Sequence, residues 1–141
     1  MSFQIIEILD SQPEGILAKV SHQNSQVTAV IANRGTDDMT AGRSVEAEIG
    51  YEKILGWKVV SDFDDTKSGI WQERDGIHLL GRIHSLLDFG DGKTIADVYM
   101  QNGSELFQVD LEAIDDAALE SDSGLEIIVS KLYIYPNDHR L

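Results

Sequence analysis

Asp64, Thr66, Ser68 and Asp75 place oxygen donors along a polar segment, 64–75, with Gly69 where a sharp turn would fall. Set on a calcium-binding loop, they take positions 1, 3, 5 and 12, a spacing that lets oxygens wrap a hard cation. Three features count against such a site. Thr66 is a weak third ligand, Asp75 is shorter than the bidentate glutamate of these loops, and the flanking segments read as strands. An exposed polar loop is the plainer expectation. Asp88, Asp91 and Asp97 gather around Gly90 and Gly92, and clustered carboxylates can hold magnesium for phosphate chemistry. A hairpin turn asks for Asp and Gly on backbone grounds alone. The expected cofactor is therefore none, with calcium or magnesium the ions these two segments would admit.

His78, Arg82 and His84 form the second constellation. On a strand they project from one face, so the 77–89 segment offers a locally basic, partly apolar surface for an anionic ligand or an acidic partner. The plainer expectation is a half-buried strand whose imidazoles make ordinary hydrogen bonds. His78 and His84 stand too far apart along a strand to share a metal. The chain has no cysteine, which removes thiolate catalysis, disulfides and Cys-ligated metals.

Charge is the strongest compositional signal. The formal net charge is −14. Segment 94–130 contains no Lys or Arg, yet it carries Asp97, Glu105, Asp110, Glu112, Asp115, Asp116, Glu120, Asp122 and Glu126. A surface built from that stretch can steer a basic protein partner, with Asp97, Glu105, Asp110, Glu112, Asp115 and Asp116 as the contact residues. The competing account is a solvated face that maintains solubility. Nucleic acid is disfavoured, because phosphate binding depends on Lys and Arg.

The elements that must position these groups are mostly strands. Period-2 alternation recurs at 3–9, 16–20, 27–31, 43–51 and 57–63. It is cleanest where Val45, Ala47 and Ile49 alternate with Ser44, Glu46 and Glu48. Segments 77–89, 94–101 and 105–110 follow. The 77–89 segment also fits a helix, but Gly81 weighs against that. Segment 125–135 is apolar on both faces and reads as one central strand. The helical spacing of Leu111, Ile114, Ala117 and Ala118 predicts one short helix near 111–120.

The expected fold is mainly β, a barrel or sandwich in one domain over 1–141. The second half runs strand, strand, strand, helix, strand, an order that resembles an OB-like barrel. Two similar strand-rich halves, about 1–63 and 77–136, are suggested by a likeness between 16–22 and 79–85.

These features favour a non-catalytic acidic module that binds a basic protein, by inhibition or scaffolding. In size and charge the chain resembles small acidic inhibitors such as the immunity proteins that neutralise nuclease toxins. Two other readings stand beside it. One is a small-molecule or metal-dependent enzyme using the 64–97 carboxylates or the His78/His84 face; the other is an oligonucleotide- or sugar-binding barrel. No apolar run approaches the length that crosses a bilayer, and 1–7 makes a poor signal peptide, so no membrane association and a cytoplasmic location are expected.

Overall fold

A computed structural model describes residues 1–32, 39–88, 94–100, 105–110 and 122–137. Among them are eleven strands and one 3-10 turn. The first four strands are β1 (Ser2–Gln12), β2 (Gly15–His22), β3 (Ser25–Ile31) and β4 (Ser44–Tyr51). They are followed by β5 (Ile54–Val60), β6 (Gly69–Glu73) and β7 (Gly76–Asp88). The last four are β8 (Thr94–Met100), β9 (Glu105–Asp110), β10 (Gly124–Val129) and β11 (Leu132–Pro136). The predicted helix at 111–120 lies outside the described residues.

Local chemistry explains the pairing. Val45 and Ala47 turn inward on β4 while Ser44, Glu46 and Glu48 stay exposed, as the alternation requires. Gln23 and Asn24 take positive φ angles of 50° and 71°, the pair of left-handed residues that a tight hairpin between β2 and β3 needs.

The mainly β expectation holds, and the barrel is closed. Its order is β1-β2-β3-β11-β4, with β4 returning to β1. The β3–β11 pair is parallel, through Val30–Tyr133 and Ile31–Ile134. This is the order of an OB-type barrel, assembled from the first four strands and the last. The second half has the expected succession of strands, but β5-β10-β7-β8-β9 form a separate sheet, with β6 added along β7.

Barrel and sheet share one plan. In the barrel, four strands consecutive in sequence are completed by β11; in the sheet, β7 to β10 are completed by β5. Each fifth strand follows directly on the other unit's fourth. The two crossings touch: Glu52 N–H donates to the Lys131 carbonyl at 3.1 Å, and Ser130 N–H to the Lys53 carbonyl at 2.9 Å. Segment 125–135 is therefore not one strand. It breaks at Ser130 and Lys131 so that β10 serves the sheet and β11 the barrel.

A single hydrophobic core spans both units, from Phe3, Ile5 and Val20 to Leu79, Ile127 and Ile134. Removing such side chains from water is the main stabilising term. Polar links supplement it. Thr28 N–H on β3 donates to Gln72 Oε1 on β6 at 2.7 Å, and the Tyr51 hydroxyl on β4 donates to the Gln108 carbonyl on β9 at 3.0 Å.

Candidate functional site

The metal-loop residues do not converge. Asp64 caps the 3-10 turn Asp65–Lys67, accepting from Thr66 N–H at 3.0 Å, and Ser68 Oγ donates to the Asp65 carbonyl. The Thr66 backbone hydrogen bond lowers the pKa of Asp64. Gly69–Glu73, which the loop reading needs curled, is strand β6. Extended backbone carries Asp75 away to another set of partners. Asp91 lies outside the described residues.

Those partners surround His78. Arg74 and Asp75 turn the chain from β6 into β7, so Trp71 pairs across from His78, and the two rings stack at 5.2 Å and 20°. His78 Nε2 lies 2.7 Å from Asp75 Oδ1 and 3.1 Å from Glu73 Oε2. On its other side, Nδ1 lies 2.9 Å from Glu126 Oε2 on β10. Lys58 on β5 approaches the second oxygen of Glu126 at 3.9 Å. His78 is only 4% exposed. Burial pulls its pKa down, but the Asp75 and Glu126 carboxylates outweigh burial and leave it raised. Asp75 is lowered in return by the His78 hydrogen bond.

Of the three β7 residues, His78 is buried, Arg82 half-buried and His84 exposed. Arg82 Nε donates to Asp65 at 3.0 Å, its Nη1 donates to the Asp122 carbonyl at 2.7 Å, and its guanidinium sits over Phe63. His84 is exposed and stacks on Tyr99 at 4.5 Å. His78 and Arg82 are thus already held by acidic groups.

The acidic stretch divides. Asp97 on β8 accepts from Ser85 Oγ and from Gln108 Nε2. Glu105 turns toward the barrel, 2.9 Å from His22 Nε2, and Glu126 belongs to the His78 cluster. Glu112, Asp115 and Asp116 lie outside the described residues. Glu105 and Asp110 also line a groove of about 680 Å³ between β4 and β9. Glu48 and Tyr51 line its other wall, Phe107 and Leu106 supply apolar surface, and no Lys, Arg or His is among its lining residues. Burial raises the pKa of Tyr51 and keeps its phenol a hydrogen-bond donor.

The sequence offers no role for Glu73, His22 or Tyr51, and it presents Glu126 only as one acid of the 94–130 stretch and Glu48 only as a polar residue of the 43–51 strand. Asp75-Gly76 taken as a two-residue hairpin turn would set Glu73 opposite His78, whereas the turn is Arg74-Asp75 and it sets Trp71 there. No local signal joins His78 to Glu126 or His22 to Glu105, since these contacts cross between distant strands.

Comparison with protein-family models, curated proteins and solved structures found no match.

Proposed function

We propose that the protein is a non-catalytic binding module that receives a basic, extended segment of a partner protein in the β4–β9 groove. The observation that carries this reading is the groove's composition: Glu48, Glu105 and Asp110 against one cation, the Met1 ammonium, which is tied to the Ala47 carbonyl at 2.7 Å. The groove runs along β9, the last strand of its sheet among the described residues. A terminal strand favours an extended ligand, whose backbone can follow it while alternate side chains meet the walls. Lys or Arg there would meet carboxylates, and Leu106 and Phe107 would cover aliphatic stems. The net charge of −14 favours a positively charged partner at long range and disfavours nucleic acid.

Isothermal titration with extended Lys/Arg-rich peptides is the test, with glutamate-substituted peptides and single-stranded DNA as controls. Basic peptides should bind, and binding should weaken as salt rises. Glu48→Lys and Asp110→Lys should each reduce affinity about five- to tenfold. Equal affinity of both variants and wild type, or no basic-peptide binding at low salt, would sink the reading.

A further inference from the structure

We propose that Glu73, Asp75 and His78 form a binding site for one divalent transition-metal ion of the zinc class. The site is separate from the β4–β9 groove and does not depend on it. Among the described residues this is the one group of at least three acidic or imidazole side chains whose donor atoms lie within 4.8 Å of one another.

The distances fit coordination. Ligands about 2.1 Å from a metal stand about 3.0 Å apart when they subtend a right angle and about 3.4 Å apart at the tetrahedral angle. His78 Nε2 stands 2.7 Å from Asp75 Oδ1 and 3.1 Å from Glu73 Oε2. At these hydrogen-bond distances the carboxylates need to open by only about 0.3 to 0.7 Å to span a tetrahedral edge.

The surroundings prepare the imidazole to act as a ligand. Glu126, whose side chain is 13% exposed, engages Nδ1 at 2.9 Å. An outer carboxylate on the far ring nitrogen fixes the tautomer and raises the basicity of the nitrogen that faces the metal. Trp71 stacks on the ring and fixes its plane. The ring itself stands on β7, which is paired with β6 on one side and β10 on the other. Glu73 and Asp75 are 59% and 58% exposed, so water can reach the remaining coordination positions. A nitrogen ligand with two carboxylates suits zinc, cobalt, nickel or manganese; calcium and magnesium favour oxygen-only shells.

Isothermal titration of the intact chain with zinc, and separately with calcium, tests the site. Wild type should take up one zinc ion, more tightly than calcium. Glu73→Gln and Asp75→Asn alter exposed side chains, so the fold should persist, which circular dichroism verifies. Each should weaken zinc binding at least about tenfold, and Glu126→Gln should weaken it about tenfold without changing the stoichiometry. Zinc should also shift the His78 ring resonances and leave those of His84 in place. The proposal is overturned by wild type that takes up no zinc at millimolar metal, by Asp75→Asn and Glu73→Gln binding as wild type does, or by calcium binding as tightly as zinc.

Discussion

Replacing His22 with phenylalanine is expected to cost about 3 kcal/mol of stability at neutral pH, and that cost should shrink in acid. His22 ends β2 inside the barrel at 1% exposure, packed on Phe3 at 5.3 Å. Its Nε2 faces Glu105 Oε1 at 2.9 Å, and the Glu105 side chain is 11% exposed. A carboxylate only accepts, so Nε2–H is the donor. Phenylalanine keeps a ring of similar size and leaves a mostly buried carboxylate without that donor. Burial alone would push the Glu105 carboxyl up, but the His22 hydrogen bond and nearby positive charge hold it below the ordinary glutamate value. A carboxyl lowered in the folded state contributes stability above its unfolded pKa and loses that contribution as pH falls through the folded one. Wild type should therefore lose stability over that acid range, while His22→Phe loses less. Urea unfolding at neutral pH and at steps through the acid range measures the difference. A His22→Phe/Glu105→Leu double variant should recover most of the neutral-pH loss, because a matched apolar pair removes the stranded charge. A deficit that stays constant into acid, or a double variant as weak as the single, would assign the effect to ring shape.

The sequence made strands legible and their partners illegible. Val45, Ala47 and Ile49 announce β4 because one face meets the core and the other meets water. The break in 125–135 is marked only by the polar pair Ser130-Lys131, a short signal between two largely buried apolar runs. Strand β6 is hidden in the sequence: it has five residues and follows a run of Asp, Thr, Lys and Ser that looks like turn chemistry throughout. The likeness between 16–22 and 79–85 makes β2 the counterpart of β7, whereas position in the strand order makes β1 the counterpart of β7. Short strands share an alphabet, so local similarity carries little information about place in a sheet. The candidate sites divide on the same line. His78 and Asp75 were noticed as residue types, but Glu126 stands 48 positions from His78, and only the β7–β10 register brings them together.

Two glycines in these paired strands should respond to alanine in different ways. Gly81 lies where β7 runs between Leu125 of β10 and the backbone of β8. A methyl group there would meet the Tyr99 carbonyl oxygen at 2.6 Å and Val98 Cγ1 at 2.8 Å. The carbonyl is main chain and cannot step aside without shifting β8, so Gly81→Ala should cost about 3 kcal/mol. Trimming Val98 should not restore stability. At Gly124 the obstruction is a side chain: the added methyl would meet Phe63 Cβ at 2.6 Å and Cγ at 2.7 Å. Gly124→Ala alone should cost about 2 kcal/mol, because Phe63 must leave its place beneath Arg82. Phe63→Gly, which removes the Cβ as well as the ring, should cost about 4 kcal/mol by itself, from lost burial and added chain freedom. With the Phe63 side chain gone from Cβ outward, none of the three closest contacts remains, so Gly124→Ala/Phe63→Gly should be about as stable as Phe63→Gly. The two changes then couple by about 2 kcal/mol, where independent sites would add within about 0.5 kcal/mol. Urea unfolding of the four members of that cycle reads the coupling directly. Simple addition at Gly124, or rescue of Gly81→Ala by Val98→Ala, would show that the close approaches are not the contacts that exclude a side chain.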